Sequence, residues 1–239
     1  MTRLAATEPV IPDFGGGGEC VERNRTFCWD WFSDHWGDIF GPALLDHVVL
    51  TAIAVSIGFV IALAAALVAH RRGWFETPFT IVAGILYTIP SLALFQLLVP
   101  ITGLTVTTAE IALVSYTLLI LFRNILTGLR GVPEEVREAA RGMGLTERQT
   151  LWRVELPIAL PAVIAGLRVA VVTVISLATV AALIIDQGLG APIFNAINSP
   201  FNTAFIAAGG LAVALALTAD GLLVLVQRLA SPWAALDRG

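Results

Sequence analysis

The stretch GVPEEVREAARGMGLTERQTLWRVELPIALP, residues 131–161, places a dense group of charged residues between two long apolar runs. The run before it covers about residues 109–129, and the run after it covers about residues 162–185. Each is long enough to cross a bilayer, because a helix needs about 20 apolar residues to do so. Backbone groups in lipid must bond within their own segment, so such runs form helices. The quoted stretch is therefore predicted to be a loop between two transmembrane helices.

The composition of the whole chain supports the same interpretation. Hydrophobic residues make up 57% of the 239 residues and charged residues 13%, with a mean hydropathy of +0.84, which does not fit a water-soluble surface. Three further apolar runs cover about residues 48–69, 79–100 and 203–227. The expected fold class is an all-α membrane protein with about five transmembrane helices, and residues 43–230 form its transmembrane domain.

The positions of the arginines predict how the chain is oriented. Arg71 and Arg72 follow the first span, Arg130 and the loop arginines follow the third, and Arg228 and Arg238 follow the fifth. Loops rich in positive charge face the cytoplasm. These three segments are therefore expected to be cytoplasmic, with residues 231–239 as a cytoplasmic tail. Five crossings then place the N-terminus outside.

Residues 1–42 are expected to form an external segment that stays on the protein, since the first apolar run begins too late for a signal peptide. Disulfides persist outside the cell, so a bridge between Cys20 and Cys28 is the favoured hypothesis, and two free thiols are the alternative. Four aromatic residues have a spacing typical of a short helix at the membrane surface, with a substrate cage as the alternative. They are Trp29, Trp31, Phe32 and Trp36.

The loop at residues 131–161 contains explicit signals for helix ends. Pro133 suits a first helical position, and Glu134 and Glu135 place negative charge at the positive end of the helix dipole. These residues predict a helix over about 133–141. Gly142 and Gly144 then favour a turn, because glycine accepts the positive φ found after a helix C-terminus.

A second helix is predicted over about residues 147–154. Thr146 and Gln149 match the capping box that begins a helix, and Pro157 is expected to help end it. Leu145, Leu151 and Trp152 give this helix-turn-helix loop an apolar edge among its charges, which predicts a partner protein. The alternative is a loop that lies against its own transmembrane helices.

The residue types argue against catalysis by this chain. All 14 basic residues are arginine, so a Walker A loop and Schiff-base chemistry both lack their lysine. The histidines fall outside metal-binding spacings, and two cysteines form no CxxC pair. We expect no catalytic residues, no metal, no cofactor on this chain and no nucleic-acid partner.

Glu138-Ala139-Ala140, Gly144 and Val154-x-Leu156-Pro157 together resemble the EAA motif of binding-protein-dependent ABC importer permeases, EAA-x3-G-x9-I-x-L-P. Valine in place of isoleucine is the one departure. The resemblance implies a type I importer (MetI-like) fold in the bacterial plasma (inner) membrane. It also implies that the loop is a coupling helix, docked in a groove of a cytoplasmic ATPase. The implied coupling residues are Glu138, Ala139, Ala140, Gly142, Met143, Gly144, Leu145, Leu156 and Pro157.

The same resemblance implies the partners. They are two ABC ATPase subunits that hold ATP and Mg²⁺, a second permease that is identical or paralogous, an external substrate-binding protein, and membrane lipid. TIPSLALF at residues 88–95, FRN at 122–124 and GLR at 166–168 look like the osmoprotectant branch. That branch imports glycine betaine, carnitine, choline, proline betaine and related quaternary amines. Its usual GAGGLG is replaced here by IDQGLG at residues 185–190, which leaves the substrate open.

Polar residues within the spans are candidates for a translocation path. Arg123 and Arg168 are interpreted as anchors or interhelical partners ahead of substrate contacts. Pro90 predicts a kink in span two, and the two tyrosines offer cation–π contacts to a quaternary amine. Ordinary helix packing, or a solvated loop acid for Asp186, is the alternative. The candidates are Tyr87, Thr88, Pro90, Ser91, Gln96, Tyr116, Asn124, Asp186 and Asp220.

Three other functions are compatible with parts of this pattern. The nearest is an ABC permease of the same class for another small solute, such as an amino acid or an ergothioneine-like betaine. An ion-coupled secondary transporter would work without an ATPase. A membrane-embedded enzyme would need a catalytic cluster, and the sequence offers none of the motifs considered above.

Overall fold

The computed structural model describes residues 18–198 and 200–232, which are almost entirely helical. Short π-helical turns at Trp36–Phe40 and Leu151–Glu155 precede α3 and α9, and a 3-10 turn at Gly73–Phe75 precedes α4. The α-helices in chain order are α1 (Glu19–Glu22), α2 (Trp29–Asp34), α3 (Gly41–Arg71), α4 (Glu76–Thr88), α5 (Ser91–Thr102), α6 (Val106–Arg130), α7 (Glu134–Gly142), α8 (Glu147–Thr150), α9 (Leu156–Ile185), α10 (Gly190–Asn198) and α11 (Asn202–Ala230).

The centre of the bundle is formed by α3, α6 and α9, which approach closely because small residues lie between them. Four buried alanines of α3, from Ala62 to Ala69, share a core cluster with Phe122 and Leu129 of α6 and Ala159 of α9. A Cβ added to Gly58 of α3 would lie 1.8 Å from Oγ1 of Thr117. Small residues of this kind let the backbones of membrane helices pack at short range.

Four helical segments within the described residues are long and apolar enough to cross a membrane. They are Trp36–Arg71, Val106–Arg130, Glu147–Ile185 and Asn202–Ala230. The predicted second span is a pair of shorter helices, α4 and α5, which would make a fifth crossing only if the pair spans as a unit. Four of the five predicted spans therefore correspond to single long helices.

The break in the second span is larger than the predicted kink. The axes of the segments Gly73–Thr88 and Ser91–Thr102 differ by 100°. Pro90 has no N–H to continue the helix, and a proline disfavours helical backbone at the residue before it. Ile89 accordingly has an extended conformation, with ψ at 129°. The chain leaves α4 at this point and starts again as α5.

Pro157 does not help end a helix, which corrects the prediction for the second loop helix. Helix α8, the π-turn and α9 form one continuous segment, Glu147–Ile185, so the fourth span begins within the loop. A proline inside a helix removes one hydrogen bond and crowds the carbonyl four residues earlier. That carbonyl belongs to Arg153, within the π-turn Leu151–Glu155, where the wider backbone spacing accommodates the ring.

The N-terminal residues fold as a small cap, residues 18–40, on the start of α11. Cys20 and Cys28 form the predicted disulfide. Inside this closed loop, Asn24 accepts a hydrogen bond from the N–H of Asn202 at 2.9 Å, and the N–H of Cys28 donates to Oγ1 of Thr203 at 2.9 Å. The cap therefore provides hydrogen-bond partners for the first turn of a helix about 180 residues away in sequence.

The aromatic residues of the cap divide between two environments. Trp31 is buried and packs edge-on against Phe201, with ring centroids 4.6 Å apart. Trp29 and Trp36 are exposed on the opposite side of α2 and the following turn. The predicted short aromatic helix is present as α2, but only part of its surface is available to lipid. Of the predicted segments, residues 1–17 and most of the tail 231–239 lie outside the described residues.

Candidate functional site in the elbow between α6 and α9

The elbow, defined here as residues 131–155, starts with a helix whose ends follow from its sequence. Helix α7 begins at Glu134, one residue later than predicted, with Pro133 as the N-cap in an extended conformation. The first turn carries Glu134 and Glu135, and the last turn carries Arg141, so charge complements the helix dipole at both ends.

The turn after α7 depends on one of the two predicted glycines. Gly144 has a φ of +80°, in the left-handed region that favours glycine. The N–H groups of Gly144 and Leu145 donate to the carbonyls of Arg141 and Ala140 at 2.9 and 3.1 Å. Gly142 lies in the last helical turn and has no such requirement.

The predicted capping box begins the second helix of the elbow. The N–H of Gln149 donates to Oγ1 of Thr146 at 3.4 Å, and the N–H of Thr146 donates to Oε1 of Gln149 at 2.9 Å. Each residue satisfies a backbone donor of the other, which fixes where α8 starts. This prediction is confirmed.

The exposed apolar edge differs in composition from the prediction. Met143 is 72% exposed and Trp152 is 54% exposed, whereas Leu151 is buried in the core with α3 and α6. Leu145 is half-buried. Leu151 follows the start of α8 by one helical turn and points inward, so the edge available to a partner is formed by Met143 and Trp152.

The residues of the EAA pattern occupy three layers. Glu138, Ala139, Gly142, Met143 and Gly144 are exposed on the elbow. Ala140 is buried beneath them, at 1% exposure. Leu156 and Pro157 are half-buried in the first turn of α9. The pattern therefore combines a surface with the residues that hold that surface on the bundle.

A buried ionic junction lies beneath the elbow. Glu155 is 7% exposed, and its two carboxylate oxygens contact different partners. Oε1 accepts a hydrogen bond from Nε of Arg137 at 2.9 Å, and Oε2 lies 3.1 Å from Nε2 of His70, at the end of α3. Arg137 also donates to the carbonyl of Leu129 in the last turn of α6 at 2.8 Å. The junction joins α3, α6, α7 and the π-turn that leads into α9.

The outer side of α7 carries a second, exposed set of charges. Glu134 accepts hydrogen bonds from Arg137 at 3.1 Å and from Arg141 at 2.9 Å. Hydrogen bonds from these guanidinium groups, that of Arg137 first, lower the pKa of the Glu134 carboxyl from its usual value. Glu134 is thus an anion held at the positive end of the α7 dipole.

The predicted translocation residues meet only in part. Tyr116 of α6 donates a hydrogen bond to the carbonyl of Ile89 at the α4–α5 break, and its ring centroid lies 6.1 Å from that of Tyr87. Thr88 bonds within α4, to the carbonyl of Ile85. Gln96 is exposed, and Ser91 and Pro90 lie at the start of α5. The break is therefore the place where Tyr87, Thr88, Pro90, Ser91 and Tyr116 come closest to forming one polar site.

The two candidate acids, Asp186 and Asp220, lie away from the α4–α5 break and away from each other. Asp220 of α11 accepts two hydrogen bonds from Arg168 of α9, at 2.8 and 2.9 Å, so both charges are paired between helices. Asp186 is exposed beyond the end of α9, 18 residues after Arg168, about 27 Å away at about 1.5 Å per residue. Asn124 donates within α6, to the carbonyl of Ile120.

Several polar residues of the bundle were not predicted. His47 of α3 is fully buried, accepts a hydrogen bond at Nδ1 from the N–H of Leu189 and donates from Nε2 to the carbonyl of Ile175. Glu110 of α6 has both carboxylate oxygens buried without a hydrogen-bond partner among the described residues. A charged or polar residue in an apolar run is the only sequence signal for such positions, and it does not identify the partner.

The long apolar helices define a multi-pass membrane protein, and the elbow is a charged segment between two of its spans. Comparison with known proteins agrees. A family model described as binding-protein-dependent transport system inner membrane component matches residues 47–231. The chain belongs to this family, whose members are permeases of ABC importers.

Characterised relatives cover most of the chain. The osmoprotectant import permease OsmW of Salmonella typhimurium is 37% identical over 191 residues, which is 78% of this chain and 89% of the relative. The choline transport permease OpuBB of Bacillus subtilis is 32% identical over 78% of this chain and 86% of its own length. The carnitine transport permease OpuCD of Listeria monocytogenes is 34% identical over 78% of this chain and 84% of its own length.

A solved structure supports the fold. An inward-facing form of the MetNI methionine ABC transporter aligns with a TM-score of 0.71 at 20% identity, covering 79% of this chain and 94% of that chain. The MetI-like permease fold implied by the EAA pattern is confirmed. The match to the family begins at residue 47, so the disulfide-closed cap lies before the matched region.

Proposed function

We propose that this permease imports an osmoprotectant or another small quaternary amine, such as glycine betaine, carnitine, choline or proline betaine. The observation that carries the proposal is the identity of 32–37% to osmoprotectant, choline and carnitine permeases over 78% of the chain. The two tyrosines at the α4–α5 break support it, because aromatic faces attract quaternary ammonium groups.

The elbow is proposed to dock on a cytoplasmic ABC ATPase, through Met143 and Trp152. Two ATPase subunits would hold ATP and Mg²⁺, and an external binding protein would deliver substrate. The orientation is proposed from the arginines that follow the first, third and fifth spans. Met143 and Trp152 support docking because they form an exposed apolar edge on an otherwise charged elbow. On this proposal the chain itself hydrolyses nothing.

A second permease, identical or paralogous, is proposed to complete the passage. Helix α11 supports this proposal. None of its most apolar 18-residue window is buried within the chain, and Val213, Leu217 and Leu222 are exposed. This face requires lipid or another subunit around it.

The direct test is uptake by proteoliposomes that contain the permease, its ATPase and its binding protein. Radiolabelled glycine betaine, choline and carnitine should accumulate only when ATP is present inside. Uptake that survives without ATP but requires an ion gradient would instead indicate a secondary transporter. Uptake of none of these amines would refute the substrate assignment.

The docking surface can be tested separately with a matched pair of tryptophans. Trp152→Ala combined with Met143→Ala should sharply reduce co-purification of the ATPase. Trp29→Ala removes a tryptophan of the cap that is more exposed than Trp152, 67% against 54%, and should leave co-purification unchanged. Equal retention of the ATPase by both variants would contradict docking at the elbow.

Ergothioneine is the second candidate substrate. The ergothioneine transport permease/ergothioneine binding protein EgtU of Helicobacter pylori is 42% identical over 134 residues, 56% of this chain. The matched part is 24% of that protein. Competition of labelled choline by unlabelled ergothioneine, compared with competition by carnitine, would rank the two substrate types.

A further inference from the structure

The elbow contains two kinds of ion pair, which differ in burial. On its outside, Arg141 and Glu134 pair with side chains 61% and 54% exposed. Beneath it, Arg137 and Glu155 pair with side chains 17% and 9% exposed. Exposed pairs contribute little because water screens them and their side chains lose entropy. The buried pair is the ionic connection that can hold a fixed geometry.

The buried pair also bonds to helices other than the two segments that contain Arg137 and Glu155. Arg137 extends from α7 to the carbonyl of Leu129 at 2.8 Å, which lies in the last turn of α6. Glu155 reaches His70 at 3.1 Å, which lies in the last turn of α3. Glu155 itself lies in the π-turn that continues into α9. One side-chain pair therefore connects α7 to all three helices at the centre of the bundle.

Stability alone does not account for this arrangement. Removing two charges from water costs free energy, and apolar residues of similar size are often equally or more stable in the same place. What the ionic pair adds is direction: the guanidinium and carboxylate groups hold their partners at fixed distances and angles. Arg137 and Glu155 also line a cavity of about 510 Å³, together with His70, Arg71, Leu145 and Thr150, so the pair lies between the elbow and the end of α3.

We propose that Arg137 and Glu155 are positioning residues that transmit movement of α7 to α3, α6 and α9. A force on Met143 would reach Arg137 through α7, and then Leu129, His70 and α9 through the buried bonds. This inference rests on the proposed function, since it requires an ATPase docked at the elbow. It adds the residues through which docking becomes movement of the membrane helices.

The test uses the reconstituted complex of permease, ATPase and binding protein, and measures substrate transported per ATP hydrolysed. Glu155→Gln keeps the size of the side chain and removes its charge. We expect the ATPase to remain bound and to hydrolyse ATP, while transport per ATP falls at least tenfold. Glu76→Gln is the matched control. It breaks an Arg–Glu pair between α4 and α6 that is exposed, with Arg130 and Glu76 47% and 36% exposed. That control should keep the wild-type ratio.

A second variant separates coupling from stability. Arg137→Leu combined with Glu155→Leu replaces the pair by apolar side chains, so that neither charge is left buried without its partner. We expect it to assemble with the ATPase and to be uncoupled to the same extent. A wild-type ratio of transport to ATP in the double variant would overturn the proposal. Loss of ATPase binding in Glu155→Gln, with the double variant coupled, would also overturn it by showing a purely structural role.

Failure of the proposed function gives a different result. In that case the wild-type complex itself would show no ATP-dependent uptake or no bound ATPase. The inference is judged only by the ratio in the variants relative to an active wild type.

Discussion

A close approach between α6 and α9 predicts a measurable effect from a single methyl group. Gly166 of α9 faces Asn124 of α6, and a Cβ added at Gly166 would lie 2.4 Å from Cβ and 2.9 Å from Cγ of Asn124. Ordinary van der Waals contact between such atoms needs at least 3.4 Å. Because a Cβ cannot rotate away, Gly166→Ala must push the two helices apart by about 1 Å.

The size of the effect follows from two opposed contributions. Forcing an extra carbon into a well-packed core costs about 1–3 kcal/mol. Replacing glycine by alanine within a helix recovers about 0.8–1 kcal/mol of helix propensity. The net loss of unfolding free energy should be about 0–2 kcal/mol, which places Gly166→Ala about 1–3 kcal/mol below a glycine-to-alanine change in a helix that meets no clash. Titration of the purified permease from mild detergent into SDS, followed by circular dichroism, measures this difference.

Two further variants make the test specific. Gly84→Ala adds the same methyl to α4, where no heavy atom lies within 4 Å of the added Cβ, and should be neutral or slightly stabilising. Asn124→Gly removes the Cβ that Gly166→Ala meets, so the double variant should recover part of the lost stability. If Gly166→Ala is as stable as Gly84→Ala, the close approach of α6 and α9 is wrong.

Three more perturbations follow from particular contacts. Replacing Cys20 and Cys28 by serine opens a loop with a sequence separation of 8, whose closure is worth about 2.5 kcal/mol of entropy in the unfolded chain. Amide hydrogen exchange at Asn202 and Thr203, which the cap contacts, should therefore accelerate. Unchanged exchange would show that the bridge does not support the cap. His47→Phe leaves the carbonyl of Ile175 and the N–H of Leu189 without their partner and should cost at least about 2 kcal/mol by the same SDS titration, a prediction that fails if the variant unfolds like the wild type. Because the pKa of Glu134 is lowered, the stability that this carboxylate adds to α7 is present above the usual carboxyl pKa and is lost as pH falls through the lowered value. Arg141→Gln should therefore raise the midpoint of a ¹³C NMR titration of the Glu134 carboxyl. An unchanged midpoint would contradict the pairing of Arg141 with Glu134.

The long transmembrane helices, the ends of α7 and the start of α8 could be predicted because their causes are local. Apolar length alone identifies α3, α6, α9 and α11. The capping box needs only Thr146 and Gln149, three residues apart, and the turn after α7 needs only Gly144. Each of these features depends on residues within one or two helical turns, so the sequence contains its full explanation.

The two prolines show where local reasoning stops. Pro90 was expected to kink a helix and instead separates α4 from α5, whereas Pro157 was expected to help end a helix and instead lies within one. The same covalent constraint operates at both positions. The difference is that the π-turn before Pro157 accommodates the ring, while Ile89 before Pro90 takes an extended conformation. Which outcome a proline produces depends on packing that no short window of sequence contains.

The ionic junction beneath the elbow explains why the site was only half predictable. Met143 lies on the exposed turn and was identified through the EAA pattern, whereas Glu155 lies inside that pattern at a position where any residue is accepted. Its partner His70 is 85 residues away, so no spacing rule connects the two. A pattern of residues identifies a surface that a partner recognises, but the bonds that carry force away from that surface depend on which helices the fold brings together. If coupling resides in those bonds, relatives with the same exposed motif can differ in coupling through the residue at position 155 alone.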